Sequence, residues 1–249
     1  MSSVSVLCLI PARGGSKGIP RKNLLPVAGR PLIVWTIEQA LAASADLRVV
    51  VSTDDPEIAE VARAAGAEVP FLRPADLAQD TTATEPVVEH AIAQVAAAGN
   101  RPDLVVLLQV TSPIREEGTI DRALAQLDRE GLDSLVGVVP QAPFLWWAGD
   151  PPRADYPVRA RPRRQDLAHE DFRYRETGSL YVTRTEIYEE QHNRLGGRIG
   201  LFEMSEIEGV DIDTDVDLTI TEGFLLQTQR RAFARAEEHH TAEQESRSL

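Results

Sequence analysis

The strongest constraint in this chain is a series of short, continuously apolar runs, each too short for a helix and each followed by a segment with helical spacing. The first, at 4–10 (VSVLCLI), is rich in β-branched residues and shows no polar alternation. Similar runs recur at 47–52, 104–110 and 135–139. A strand apolar on both faces must be covered on both faces, which is the situation of a central strand in a parallel sheet. Helical patterns at 32–43, 57–65, 85–98 and 119–129 fall between and after these runs. Asp54 and Asp55 precede the second of them, with Pro56 placed in its first turn, where a missing N–H costs nothing. The alternation predicts an α/β fold, a Rossmann-like and mostly parallel sheet with helices on both faces. At 249 residues and 43% hydrophobic, the chain suits a single domain, 1–249, with room for one inserted lobe.

The rhythm breaks after Pro140. Residues 141–177 carry Trp146, Trp147, several prolines and the cationic stretch Arg159, Arg161, Arg163 and Arg164, which predicts an inserted dimerisation lobe. Strand patterns return at 178–183 and near 199–204 with a short helix between them. A closing helix is predicted over 215–237, followed by a polar tail at 238–249.

The formal net charge of −13 argues against nucleic acid or an anionic membrane as the main partner. No run approaches the ~20 apolar residues of a membrane span. The single cysteine, Cys8, excludes an internal disulfide framework and lies in an apolar strand, where it reads as a core side chain. A soluble, cytoplasmic protein is expected. The five histidines show no metal-ligand spacing. An acidic protein that binds an anion must gather its positive charge locally, so clusters of Arg and Lys are the places to look.

The richest cluster follows the first strand directly: Ile10-Pro-Ala-Arg-Gly-Gly-Ser-Lys-Gly-Ile-Pro-Arg-Lys-Asn23. Gly14, Gly15 and Gly18 allow a tight turn with bare N–H groups, and Arg13, Lys17, Arg21 and Lys22 could neutralise a polyphosphate. Ligands of open α/β sheets bind beyond the carboxyl ends of strands, where this loop lies. The spacing excludes a P-loop, because Ile19 and Pro20 follow Gly18, and it excludes G-x-G-x-x-G. The plain alternative is a solvated Gly/Lys loop.

The run PARGGSKGIPRKN at 11–23, followed by Gly29-Arg30-Pro31-Leu32, resembles the acylneuraminate cytidylyltransferases, the CMP-sialic acid synthetases. Further matches follow in chain order: Val51-Ser-Thr-Asp54, Leu72-Arg-Pro74, Gln109-Val-Thr-Ser-Pro113 and Val210-Asp-Ile-Asp-Thr-Asp215. The resemblance therefore extends over roughly 4–222. It implies transfer of CMP from CTP to the anomeric hydroxyl of a sialic-acid-like sugar acid, with release of pyrophosphate. It further implies Mg²⁺ (or Mn²⁺) as cofactor, a homodimer, and CTP and a 2-keto-3-deoxy sugar acid as partners.

The same resemblance assigns residues. Arg13, Gly14, Gly15, Ser16, Lys17, Gly18, Lys22, Asn23, Arg73, Asp80 and Thr82 fall on its nucleotide-binding positions. Arg13 and Lys22 would touch phosphate, and Asn23 the base or ribose. Thr82 or Thr84 could instead cap the helix that starts near Glu85. Asp211 and Asp213 fall on the metal pair, and residues i and i+2 of an extended segment do share one side. With Arg13 and Lys22 they form the implied catalytic set, while one of Asp215 and Asp217 would cap the last helix. Gln109, Arg164, Arg175 and Thr177 fall on sugar-binding positions.

Two departures concern the acceptor. The stretch Ala142-Pro-Phe-Leu-Trp-Trp147 lacks the lysine expected there, and Thr177 stands where the family has asparagine. An acid of the legionaminic or pseudaminic type thus stands beside N-acetylneuraminate. A 3-deoxy-manno-octulosonate enzyme, or a glycosyltransferase reading Asp211-Ile-Asp213 as its D-x-D metal motif, are the alternatives. A non-catalytic nucleotide sensor would not need both the aspartate pair and the basic arm.

Overall fold

A computed structural model describes residues 4–15 and 18–230. In chain order, β1 (Val6–Pro11) leads through the glycine loop to a small hairpin, β2 (Pro26–Val27) and β3 (Arg30–Pro31), and then α1 (Leu32–Leu41). Next come β4 (Leu47–Ser52), α2 (Pro56–Ala64), α3 (Thr84–Ala97), β5 (Leu104–Leu107) and α4 (Thr119–Glu130). Then follow β6 (Ser134–Gln141), a second hairpin of β7 (Trp146–Trp147) and β8 (Arg153–Ala154), and the long β9 (Arg173–Arg184). The chain ends with α5 (Thr185–Gln191), β10 (Ile199–Glu203) and a helix, α6, over 215–230.

The main sheet has the order β10-β6-β9-β5-β1-β4. β1 lies parallel to β4 and β5, and β10 parallel to β6. β9 is antiparallel to both neighbours, β5 and β6. The mostly parallel α/β sheet expected from the sequence is therefore present, with one reversed strand. The reversal has a simple cause: no helix crosses back between β6 and β9, and a parallel return needs such a crossover.

Two-sided burial explains the apolar runs. Along β1, Cys8 and Ile10 join the core with Ile33 and Ile37 of α1, Ile58 of α2 and Leu127 of α4. Leu7 and Leu9 point the other way, into the core with Val88 and Ile92 of α3 and Tyr188 of α5. Burial pushes the Cys8 thiol up to about 12, so it is an inert core side chain. Asp55 caps α2 as the sequence suggests, accepting from the N–H groups of Glu57 (2.8 Å) and Ile58 (3.1 Å).

The inserted segment is shorter than expected. Residues 173–177 belong to β9, paired with β6 out to Gln141↔Arg173, so the irregular part runs over 142–172. There Trp146 and Trp147 are exposed, while Phe144 and Tyr156 meet edge to face at 5.4 Å beneath the Arg161 guanidinium. At the start of α6, Asp217 accepts from the Thr214 N–H (2.8 Å) while its own N–H reaches Thr214 Oγ1 (3.3 Å). Asp217, rather than Asp215, thus completes a reciprocal cap. The rest of the predicted closing helix, and the tail at 238–249, lie outside the described residues. No helix among the described residues is long and apolar enough to cross a membrane.

Leu107 is fully buried in the centre of the sheet. Leu107→Ala should lower unfolding stability by about 2–5 kcal/mol, read from urea denaturation.

Candidate active site

The loop after β1 leaves the carboxyl edge of the sheet and folds back over the turn between β4 and α2. The Gly14 N–H donates to Asp54 Oδ1 (3.1 Å), and a Cβ on Gly14 would stand 2.6 Å from Asp55 Oδ2. Gly14 is thus required by close approach. Asn23 Nδ2 donates to the Arg13 carbonyl (2.9 Å), closing the loop from its far end. Arg21 is not turned to the site: it pairs with Asp55 (2.6 Å) and Glu57, so its charge is spent on the α2 cap. Burial alone would raise the Asp55 carboxyl, but the Ile58 N–H, Arg21 and the Glu57 N–H outweigh it and hold it below the usual range.

The loop roofs a cleft of about 330 Å³. Arg13, Lys22 and Asn23 line one wall, Arg73, Asp80 and Thr82 a second, and Gln109, Val110 and Thr111 the floor. Arg13 donates to the Gln79 carbonyl (3.0 Å) and pairs with Asp80 (3.0 Å). Arg73 is only 6% exposed, lies 3.6 Å from Asp54 through Nη2, and among the described residues its Nε and Nη2 have no hydrogen-bond partner. Burial pushes its guanidinium below the ordinary value, opposed by Asp54 and reinforced by Arg13. Thr82 does not cap α3: the cap position is Ala83, and the Thr82 hydroxyl donates to the Asp76 carbonyl (3.1 Å).

Asp211 and Asp213 flank Ile212, which is fully buried, so both carboxylates face away from the core. The segment is fixed at three points. The Ile212 N–H donates to the Thr111 carbonyl (2.8 Å), the Ser112 hydroxyl lies 3.4 Å from Asp211 Oδ1, and Lys22 Nζ donates to the Ile212 carbonyl (2.5 Å). Lys22 Nζ also stands 4.0 Å from Asp213 Oδ1. A Cβ on Gly18 would sit 3.2 Å from the Asp213 carbonyl, so the glycine loop and the acidic segment touch. Two hard carboxylates beside a cationic cleft fit a divalent ion that shares its shell with phosphate and water. Among the described residues no cluster of three metal-ligating side chains forms.

The expected sugar contacts divide. Gln109 is at the cleft, and Gly178 makes room for it: a Cβ there would collide with the Gln109 carboxamide. Thr177 is turned away. It is 3% exposed, and its hydroxyl donates to the Gly137 carbonyl (3.0 Å) where the β6–β9 register shifts, so it is a core residue of the sheet. Arg175 donates to the Gly209 carbonyl (3.1 Å), two residues before Asp211. Arg164 is exposed on a short turn of the inserted segment and does not line the cleft. Ser16 and Lys17 lie outside the described residues.

The sequence reading missed Asp54, which joins the glycine loop to Arg73. Its place at the carboxyl end of a buried strand was the available signal.

The sequence profile described as cytidylyltransferase matches residues 7–145. The chain belongs to the cytidylyltransferase family. It is 37% identical over 221 residues to the CMP-N,N'-diacetyllegionaminic acid synthase of Legionella pneumophila, covering 87% of this chain and 94% of that one. It is 35% identical over 227 residues to N-acylneuraminate cytidylyltransferase B of Danio rerio, covering 88% of this chain but 51% of that protein, so it spans about half of that relative's length. A CMP:2-keto-3-deoxy-manno-octonic acid synthetase solved with CTP shares the fold, with a TM-score of 0.67 at 19% identity over 90% of this chain and 99% of that one.

Two predictions follow from the loop. Gly14→Ala should push the loop off Asp55 and, on the function proposed below, weaken CTP binding by about tenfold or more, read by calorimetry. Because the Asp55 carboxyl is held low, its ionised form stabilises the fold fully above the ordinary value of 3.8, and that share is lost as pH falls through the lowered value. Asp55→Asn keeps a capping side chain without the charge. The stability gap between wild type and this variant should therefore be wider at pH 6 than at pH 3 in urea titrations.

Proposed function

We propose that this cytidylyltransferase joins CTP to the anomeric hydroxyl of a sialic-acid-like, nonulosonic sugar acid and releases pyrophosphate. Arg73 carries the reading. Its buried guanidinium, offset by Asp54 at 3.6 Å, adds a third cation to Arg13 and Lys22 on one cleft, and such a convergence favours a polyanionic ligand. A nucleoside triphosphate is such a ligand. The relatives' names supply the base and the acceptor class.

In this reaction the hydroxyl oxygen attacks the α-phosphorus, the bond to the leaving pyrophosphate breaks, and the hydroxyl proton is lost. Arg13, Lys22 and Arg73 neutralise the phosphate oxygens, and the rigid glycine loop keeps them aligned. Gln109, braced over Gly178, orients the sugar from the floor. Asp211 and Asp213 are the proposed holders of Mg²⁺ or Mn²⁺, which when bound supplies charge neutralisation at phosphate. Exposed Trp146, Trp147 and Val158 on the inserted segment, with Ile199 and Leu201 on the edge strand β10, support a homodimer. In that assembly the arm bearing Arg164 would close the partner's cleft. CTP dependence supports a cytoplasmic enzyme.

A pyrophosphate-release assay with CTP and Mg²⁺ against a panel of eight- and nine-carbon 2-keto-3-deoxy sugar acids tests the reading. Release with a nine-carbon acid is expected, and silence across the panel in protein that binds CTP would overturn the acceptor assignment. Asp213→Ala should lower kcat by about 10²–10³ with the fold intact by circular dichroism. Light scattering should give twice the chain mass.

A further inference from the structure

Arg115 is buried, 8% exposed, and lines a second pocket with Gln39 rather than the cleft, touching the cleft floor only through the Gln109 backbone; the reaction proposed above gives it no part. Its Nε and Nη2 both donate to the Ser179 carbonyl of β9 (2.9 and 2.5 Å). Nη2 also reaches the Gln109 carbonyl (3.3 Å), and Nη1 donates to Gln39 Oε1 on α1 (3.0 Å). Gln39 in turn donates through Nε2 to the Pro113 carbonyl (2.7 Å). Among the described residues no carboxylate stands within ion-pairing distance of Arg115. Glu208, which acts on it through space, is already bound to the Glu116 N–H, the Thr119 hydroxyl and Ser205.

A buried cation held only by carbonyls and an amide costs stability, and an apolar side chain of equal volume would fill the space more cheaply. What the guanidinium supplies is geometry: a planar fork that locks three elements at fixed spacing. Two of them, the Gln109 loop and β9 at Gly178–Ser179, meet at the floor of the cleft, and α1 braces them from behind. The Gln109 N–H faces the Gly178 carbonyl (3.3 Å), and the Gln109 carboxamide packs on Gly178, the neighbour of Ser179. The nucleotide wall of Arg13, Asp54 and Arg73 hangs instead from β1 and β4, and Arg115 does not touch it.

We propose that Arg115, braced by Gln39, is a positioning residue that sets Gln109 against Gly178 and thereby orients the sugar acid, without bearing on CTP. This rests on the cytidylyltransferase reading.

Arg115→Lys keeps the charge and loses the fork. Gln39→Met keeps the volume and loses the brace, and it should fold even if the first variant does not. For each, KM and kcat are measured with saturating and varied CTP and acid, and CTP binding is measured separately by calorimetry. The expected result is a rise in the acid's KM or a fall in kcat of about fivefold or more, with CTP affinity within twofold. An equal loss for both substrates, or a lowered Tm with unchanged kinetics for the folded variant, would overturn the proposal. Hydrogen exchange at the Gln109 and Ser179 amides, compared between each variant and wild type, needs no turnover. If the wild type released no pyrophosphate with any acid, the function would fall, while unchanged exchange in Gln39→Met would separately sink the clamp and faster exchange confined to these amides would uphold it.

Discussion

Two-sided burial of β1 is the constraint on which the rest depends. Its alternate side chains enter two cores, Cys8 and Ile10 on one face and Leu7 and Leu9 on the other. A strand in that position needs partners on both edges and helices on both faces, so β4 and β5 lie parallel beside it. The chain must then leave the core at one edge of the sheet. There the glycine loop, the Asp54–Asp55 turn and the Gln109–Ser112 loop meet, and the cleft is the space they enclose.

Charge is distributed to serve that space. The protein is strongly acidic overall, yet Arg13, Lys22 and Arg73 converge on one cleft, and each is held by an acidic side chain or a carbonyl. Arg73 is the sharpest case, because its burial is only partly compensated by Asp54 at 3.6 Å. Arg115 shows the complementary use of the same side chain. There every bond goes to backbone or amide, and the product is fixed spacing rather than affinity.

Legibility in the sequence varied from residue to residue for physical reasons. Asp55 and Pro56 announced the start of α2 because capping is local chemistry, settled within a few residues. Gly14 was readable as part of a tight turn, but what it approaches, Asp55, lies in the turn beyond another strand. Arg21 and Thr177 misled. Both sit beside residues near the cleft, but Arg21 turns to Asp55 and Glu57, and Thr177, within the irregular stretch of β9 opposite Val136–Val138, turns into the sheet. Neighbouring residues on a strand face opposite ways, and a single irregularity changes which of them meets the ligand.

By itself the sequence determined the sheet-and-helix alternation and the position of the glycine loop at the end of β1. These follow from periodicity and local stereochemistry, which short windows of sequence contain. Only the tertiary structure decided that β9 runs against its neighbours, that Asp54 links the loop to Arg73, and that Arg115 ties Gln39, Gln109 and Ser179 together. Each of those depends on contacts between distant residues, Asp54 with Arg73, Gln39 with Arg115 and Arg115 with Ser179 among them, and such contacts exist only after the chain has closed on itself.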